Sequence, residues 1–256
     1  MLNKQVIVSV ASWRPRFQTI IQNLQSLVNQ DYPNKHIILN IHQDDERFLP
    51  EEVVNFCLSN CIEINIIRDI NLRSHNKYYY VMLKHRDRVI ITVDDDFVYD
   101  SRLISSLMSG YLHSDKRTII CPTCLQITSN NGKLLTFKEI QIVSKLTTSL
   151  PHLYNWPRGG GGILYPPNIL NLSEDSYKEF LNNDLIHDDD CYLKIREIKQ
   201  SVLCKQLDLG HLQTYSICDR SIDDSALYSI YGYNMLNSNL LDHELLFLNI
   251  SHKLNY

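Results

Sequence analysis

Residues 88–100 read Arg-Val-Ile-Ile-Thr-Val-Asp-Asp-Asp-Phe-Val-Tyr-Asp, and this stretch decides the fold. Its apolar run is rich in β-branched residues, which predicts a buried strand. Asp94, Asp95 and Asp96 end that strand. An unpaired buried charge is very costly, so we expect these carboxylates at the edge of a sheet, compensated by a divalent cation. Because ligands bind at the carboxyl ends of strands in open α/β sheets, the stretch predicts a metal site for a phosphate-bearing substrate.

The residues around this stretch alternate short apolar runs with segments that carry apolar residues at helical spacing. Strands are predicted at 6–10, 36–42, 62–67, 89–93 and 118–121, helices at 16–29, 50–58, 76–85 and 101–113, and a hairpin within 126–137. Strands joined by helices of this length form parallel sheets with right-handed crossovers. The sequence therefore predicts an α/β protein.

The composition is that of an ordinary enzyme. A chain of 256 residues is long enough for one large α/β domain, and its net charge of −4 gives no sign of nucleic-acid binding. Its 7 scattered cysteines predict reduced thiols and a cytoplasmic location. We expect no signal peptide and no membrane-spanning helix, while peripheral contact with a membrane is left open. Cys121 and Cys124 have the spacing of a zinc or redox pair, but we interpret them as small buried side chains.

Two later segments also predict a ligand site. Half of the chain's 8 glycines lie in the run 159–162. Such a run indicates close approach of the backbone to a ligand, with a flexible loop as the alternative. Asp188, Asp189 and Asp190 begin a predicted helix. One of them could cap that helix, but the surplus over one cap favours a catalytic carboxylate.

Together these segments resemble a known family. The strand that ends in three aspartates looks like the DxD signature of nucleotide-diphosphosugar glycosyltransferases with the GT-A fold. The order of the motifs is similar to that of bacterial family-2 enzymes from capsule and surface-polysaccharide loci. The motifs that carry this resemblance are Ser12 to Arg16, Lys77-Tyr78-Tyr79, Gly161 to Pro167, and Asp189 to Lys194. The resemblance covers roughly residues 5 to 200 and implies a mixed, mainly parallel sheet flanked by helices.

The resemblance implies a metal-dependent glycosyltransferase. Such an enzyme would move a hexosyl or related sugar from a nucleotide-diphosphate donor, with UDP expected, to a hydroxyl of an oligosaccharide or lipid-linked glycan, with inversion. Mn²⁺ or Mg²⁺ would be held by Asp96 and Asp94. His211 is the first candidate for a third metal ligand, followed by His243 and His252. The general base would be Asp190, with Asp189 as its close competitor.

The resemblance also assigns binding residues and a domain division. The residues expected to bind the donor are Ser9, Ser12, Arg14, Asp44, Arg73, Lys77, Asp94 and Asp95. Those expected in the acceptor or sugar loop are Trp156, Gly160, Gly161 and Gly162. Residues 1–200 would form the catalytic domain, with nucleotide-sugar binding in 1–100 and acceptor binding in 101–200. Residues 201–256 would form a helical extension packed on the same domain, and the oligomeric state is left open.

Two other classes of protein remain. Residues 94–98 also fit the Asp-x-Asp-x-Val nucleophile motif of haloacid-dehalogenase-type phosphatases. That motif normally follows the first strand of its domain and has a glycine after the valine, whereas here it follows about the fourth strand and Tyr99 stands in that place. A non-catalytic nucleotide-sugar-binding protein is the second alternative, and it would need no second acidic cluster.

Overall fold

The computed structural model describes residues 5–130, 133–135, 150–182, 185–210 and 212–217. The strands are β1 Val6–Ser12, β2 Lys35–His42, β3 Glu63–Ile67, β4 Val89–Val93, β5 Phe97–Val98, β6 Ile119–Cys121, β7 Cys124–Gln126, β8 Ser129–Asn130, β9 Lys133–Leu134, β10 Asn155–Pro157, β11 Ile163–Tyr165, β12 Cys204–Gln206 and β13 Tyr215–Ser216. The α-helices are α1 Ile20–Val28, α2 Gln43–Glu46, α3 Glu51–Ser59, α4 Tyr79–Lys84, α5 Leu103–Leu112, α6 Tyr177–Leu181 and α7 Asp189–Lys199. Short 3₁₀ turns occupy Arg14–Arg16, Arg73–Lys77 and Gly159–Gly161.

Seven of these strands form one mixed, mainly parallel sheet in the order β12-β6-β11-β4-β1-β2-β3. All neighbouring pairs are parallel except those made by β11, which runs antiparallel to both β4 and β6. The pairs β10–β7, β13–β5 and β8–β9 are small antiparallel ribbons. Since β1 and β4 are parallel neighbours, the segments that follow them lie side by side at one edge of the sheet.

Helices cover both faces of this sheet, as its nearly continuous apolar strands require. Alternate residues of β1 point to opposite faces of the sheet. Val6, Val8 and Val10 pack with α1, α3 and α5, while Ile7 packs against α4. The α1 helix buries the apolar stripe Ile20, Leu24 and Leu27. A separate hydrophobic cluster joins β6, β11 and β12 to α4, α6 and α7. The sheet is therefore packed on both faces.

The predicted strands and helices are found with shifted ends. The predicted helices at 16–29 and 76–85 begin later, at Ile20 and Tyr79, because each is preceded by a 3₁₀ turn. The hairpin within 126–137 is present as β8 paired with β9. The sheet also continues past residue 200, since β12 pairs with β6. Residues 218–256 and His211 lie outside the described part of the chain, so the domain division stays a prediction.

No helix within the described ranges is both long and apolar enough to cross a bilayer.

A buried ion pair attaches α7 to the ribbon beside the sheet. Lys194 donates to Glu197 at 2.6 Å and to the Asn155 carbonyl at 2.8 Å, and both charged side chains are at most 1% exposed. Such a pair offsets the cost of burying its two charges, but either charge left alone is strongly destabilising. Because α7 begins at Asp189, this attachment also sets where the second acidic cluster stands.

We predict that Lys194→Met lowers the free energy of unfolding by about 3–5 kcal/mol, because it leaves the Glu197 carboxylate buried without a cation. Urea denaturation measures this change. The double variant Lys194→Met/Glu197→Leu should regain most of the loss, since it buries no charge. A double variant as unstable as the single one would contradict this explanation.

Candidate active site

Lys77 joins the two acidic clusters of the sequence. Its ammonium lies 2.6 Å from Asp94 Oδ1 and 2.7 Å from Asp189 Oδ2. The side chain of Lys77 is 8% exposed, those of Asp94 and Asp189 are 28% and 10% exposed, and the ion pairs are therefore shielded from water. The 3₁₀ turn Arg73–Lys77 carries the lysine, Asp94 directly follows β4, and α7 starts at Asp189. One cation thus holds together three segments that are far apart in the chain.

The charges of this cluster determine its protonation. Burial alone would lower the pKa of Lys77, but the carboxylates of Asp189, Asp94 and Asp190 outweigh burial and raise that pKa well above its usual value. Burial would raise the pKa of Asp189, yet Lys77 outweighs it and lowers the pKa to about 2. The lysine is therefore a cation and Asp189 a carboxylate at neutral pH.

Asp190 has different partners from its neighbour Asp189. The Gly159 N–H donates to Asp190 Oδ1 at 3.1 Å, and Arg158 Nε lies 3.6 Å from Oδ2. Burial raises the pKa of Asp190; Arg158 and Lys77 oppose that rise, while Asp189 and Asp94 add to it. Asp190 is thus a carboxyl with a higher proton affinity than usual.

Asp190 lies on a cleft of about 930 Å³, large enough for a small organic ligand. The cleft is lined by Asp94, Phe97, Leu103, Pro122, Thr123, Arg158, Gly160, Gly161, Asp190, Gln206, Leu207, Asp208, Leu209, Gly210, Leu212 and Thr214. Arg158 and Asp94 both lie near Asp190 in this lining. The two acidic clusters therefore open into one space.

Two glycines of the run have a structural reason. A Cβ on Gly159 would lie 3.0 Å from both Asp190 Oδ1 and Lys77 Nζ, and 3.3 Å from Asp94 Oδ2. Gly162 has a φ of +85°, a conformation that side chains disfavour, and it leads into β11. At Gly159 the backbone comes close to the protein's own carboxylates and lysine, and its approach to a ligand stays a prediction.

The three aspartates after β4 differ in their surroundings. Ser12 donates to Asp95 Oδ2 at 2.6 Å, and burial raises the pKa of Asp95 to about 7 against the opposing effects of Ser12 and Arg16. Asp96 Oδ2 lies 3.9 Å from Arg16. Asp94 Oδ1 faces Lys77. Each of the three carboxylates therefore has a different polar partner, which is a lysine, a serine hydroxyl or an arginine.

Within the described residues, no group of three metal-ligating side chains converges on one point. A cation that binds phosphate needs only one or two carboxylates, because the phosphates and water complete its coordination. Asp96 and the second oxygen of Asp94 fit that requirement as hard oxygen ligands for Mn²⁺ or Mg²⁺. The third predicted ligand, His211, lies outside the described residues.

The structure places several predicted donor residues away from Lys77. Arg14 stacks on the Phe48 ring at 3.9 Å, and exposed Asp44 pairs with His42 at 3.1 Å. Arg73 is exposed at the start of the 3₁₀ turn. Ser12 contacts Asp95 rather than open space. These residues follow β1, β2 and β3, whose carboxyl ends share one edge of the sheet.

Three of the predicted site residues are buried. Ser9 is 0% exposed, and its hydroxyl donates to the Lys77 carbonyl at 2.6 Å, so it supports Lys77 from inside the sheet. Trp156 is 1% exposed, and its Nε1 donates to the Asp190 carbonyl at 3.0 Å. Gly162 is buried just before β11, while Gly160 and Gly161 line the cleft.

Sequence reasoning missed three residues of the site. Arg158 lines the cleft beside Asp190, and its position before the glycine run was the available signal. Asn23 donates to the carbonyls of Asp94 and Phe97 at 2.8 Å each. Tyr99 accepts from the Asp94 N–H at 2.9 Å. Asn23 and Tyr99 fix the backbone after β4, and no sequence pattern marks them.

No family model matches the sequence, and no curated protein matches it. Solved structures do match. S. aureus TarS 1-349 aligns with a TM-score of 0.51 and 14% identity over 80% of this chain and 58% of that chain. The same protein in complex with UDP-GlcNAc aligns with a TM-score of 0.50 and 13% identity over 80% and 56%. The mannosyltransferase PcManGT from Pyrobaculum calidifontis, in complex with GDP-Man and Mn²⁺, aligns with a TM-score of 0.47 and 12% identity over 79% and 54%.

The chain spans little more than half the length of these matched chains. At such low identity the likeness concerns the fold, and the two TarS alignments are the ones that support it. The mixed, mainly parallel sheet with flanking helices is the GT-A fold. The predicted fold class is confirmed.

The Lys77–Asp189 ion pair predicts a pH dependence of stability. The pKa of Asp189 is about 2 in the folded protein and 3.8 ordinarily, a difference that corresponds to about 2 kcal/mol. Because the folded pKa is depressed, this stabilisation is present above pH 4 and is lost as the pH falls towards 2. Urea denaturation between pH 5 and pH 2 should show a smaller loss in Asp189→Asn than in the wild type, because other carboxyls with a lowered pKa, such as Glu63, still titrate in the variant.

Asp188→Asn provides a control with the opposite sign. Burial raises the pKa of Asp188 to about 7, so its ionisation destabilises the folded protein as the pH rises from 4 to 7. Asn can still accept from the Cys191 N–H as a helix cap. The variant should therefore be more stable than the wild type at pH 7 and not at pH 4. Equal pH profiles for Asp188→Asn and Asp189→Asn would refute these assignments.

Proposed function

We propose that this chain is a glycosyltransferase that moves a hexosyl or related sugar from a nucleoside-diphosphate donor, with UDP as the expected nucleotide, to an acceptor hydroxyl. The observation that carries the proposal is the convergence of Lys77, Asp94, Asp189 and Asp190 in a GT-A fold, where Asp94 and Asp190 line a cleft. TarS, which shares the fold, has been solved with UDP-GlcNAc, and this supports a nucleotide-sugar donor.

Asp190 is the general base of the proposed reaction. A base needs proton affinity and access to the acceptor, and Asp190 has a raised pKa and lines the cleft. Asp189 has neither property, because Lys77 lowers its pKa to about 2 and occupies its carboxylate. These differences between the two carboxylates support Asp190 as the base.

The reaction is a displacement at the anomeric carbon. The acceptor oxygen forms a bond to that carbon while its proton passes to Asp190. The bond from the carbon to the phosphate oxygen breaks, and the nucleoside diphosphate leaves with the electron pair. Attack from the side opposite the leaving group inverts the anomeric configuration, and Arg158 beside Asp190 supplies a positive charge to this wall of the cleft.

A divalent cation would neutralise the charge that grows on the leaving diphosphate. In this chain Asp96 and Asp94 would hold it, with Mn²⁺ or Mg²⁺ as the ion. The acceptor is a hydroxyl of an oligosaccharide or a lipid-linked glycan, and surface-polysaccharide biosynthesis in a bacterium is the expected setting. These assignments rest on the resemblance of the motifs and on the chemistry of the carboxylates.

The phosphatase alternative does not fit this fold. The motif at Asp94 follows the fourth strand of the chain rather than the first, and Tyr99 stands where that motif has a glycine. A non-catalytic nucleotide-sugar-binding protein is the remaining alternative, and turnover distinguishes it from the proposed enzyme.

We predict that incubation with a panel of sugar nucleotides and Mn²⁺ releases nucleoside diphosphate, and that Asp190→Asn lowers kcat by about 10²- to 10⁴-fold, the usual contribution of a general base. Wild-type kcat should fall as the pH drops through the raised pKa of Asp190, and the variant should lack this limb. Asp208→Asn, an exposed change in the same cleft, is the matched control. Binding of a donor without turnover on any acceptor would leave only the binding-protein alternative.

The cation site predicts a coupled thermal shift. UDP should raise the melting temperature more in the presence of Mn²⁺ than in EDTA, because the cation would strengthen the binding of its diphosphate. A ligand at a hundredfold excess over its Kd stabilises the folded protein by about 2.7 kcal/mol. Asp96→Ala should abolish this dependence on Mn²⁺. Asp87→Ala, a change at an exposed aspartate just before β4, should retain it. If Asp96→Ala keeps the full response to Mn²⁺, the ion is held elsewhere.

A further inference from the structure

Polar side chains occupy one layer of the sheet directly under Lys77. The face covered by α4 begins with an apolar layer made of Ile7, Ile38, Ile90 and Val81. Two residues further along β1, β2 and β4 stand Ser9, Asn40 and Thr92, which are 0%, 0% and 1% exposed. Buried polar groups are costly unless they are hydrogen-bonded, so this change from apolar to polar must have a local reason.

Three of the polar side chains on this face form a continuous chain of hydrogen bonds. Asn65 Nδ2 donates to Asn40 Oδ1 at 2.9 Å, and Asn40 Nδ2 donates to Ser9 Oγ at 2.9 Å. Ser9 Oγ donates to the Lys77 carbonyl at 2.6 Å. All donors point in the same direction, so each bond polarises the next. The chain starts on β3, crosses β2 and β1, and ends at the backbone of Lys77.

The turn that carries Lys77 is held by hydrogen bonds at more than one residue. It is a 3₁₀ turn of five residues, a conformation whose own hydrogen bonds are poorly aligned. His75 in this turn bonds to the Leu185 carbonyl at 2.9 Å. Ser9 bonds to the backbone of Lys77 itself, and this contact sets the height above the sheet from which the long, flexible lysine side chain reaches its two carboxylates.

We propose that Ser9, Asn40 and Asn65 are positioning residues, which hold Lys77 where its ammonium joins Asp94 to Asp189 and leaves Asp190 free to act as the base. The inference rests on the glycosyl transfer proposed above. It assigns a role in the reaction to three side chains that contact neither donor nor acceptor. Their importance should follow their order along the chain, because Ser9 touches Lys77 and Asn65 acts through two intermediates.

The first test is kinetic, with UDP release from a sugar nucleotide that the wild type turns over as the readout. Ser9→Ala should lower kcat by about 10- to 100-fold, the size expected for a small misplacement of a catalytic group, while KM changes by less than about threefold. Asn40→Ala should have a smaller effect and Asn65→Ala the smallest. Ser176→Ala is the matched control, since Ser176 is 3% exposed and its hydroxyl bonds only within its own segment.

A second test needs no substrate. If Ser9 positions Lys77, then Ser9→Ala weakens the hold of Lys77 on Asp189 and raises the pKa of that carboxyl towards its ordinary value. The loss of stability between pH 4 and pH 2 should then be smaller in Ser9→Ala than in the wild type, and unchanged in Ser176→Ala. Urea denaturation over this range measures all three proteins.

The two tests separate the inference from the proposed function. If no protein, including the wild type, turns over a sugar nucleotide, the proposed function fails and the pH series still decides whether Ser9 positions Lys77. If Ser9→Ala and Ser176→Ala lose stability with the same pH dependence, Ser9 is a purely structural residue and the inference is overturned. A kinetic ranking with Asn65→Ala as the most damaging change would also overturn it.

Discussion

The ammonium of Lys77, 2.6 Å from Asp94 and 2.7 Å from Asp189, is the charge on which the arrangement of the cleft depends. Without this ammonium, the shielded carboxylates of Asp94 and Asp189 would repel each other, and each would be costly to keep ionised. With the cation between them, the end of β4 and the start of α7 are drawn together. Gly159 must then lack a side chain, because its Cβ would lie 3.0 Å from the ammonium.

The strand order explains why these segments can meet. β4 lies between parallel β1 and antiparallel β11, and Ile163 at the start of β11 is paired with Thr92 near the end of β4. A parallel neighbour would have entered the sheet at the opposite edge. Because β11 is reversed, the glycine turn before it stands at the edge where β4 ends. The antiparallel strand thus places the backbone N–H of Gly159 beside the carboxylates.

The sequence predicts what depends on local chemistry. β4 has the predicted bounds because its β-branched run is a local signal. The acidic triplet after it is expected near a ligand from the cost of burying charge, and the second cluster from its surplus over one helix cap, and neither argument needs knowledge of the fold. The partner of Lys77 was not predictable, since Asp189 meets it only after the whole sheet is formed. For the same reason, the sequence does not predict that the side chains of Ser9 and Trp156 point into the interior. Whether a side chain faces a cleft or the core depends on strand register and helix packing, which no single segment encodes.

The proposal of Asp190 as the base is supported by the different partners of the buried carboxylates. Asp95 has a raised pKa of about 7, but it receives the Ser12 hydroxyl and does not line the cleft. Asp189 is held as a strong acid by Lys77. Asp190 receives weaker compensation, from a backbone N–H and from Arg158 at 3.6 Å, and it faces the cleft. Since Lys77 pairs with Asp189 and not with Asp190, the carboxylate that keeps its proton affinity is the one that can reach an acceptor hydroxyl.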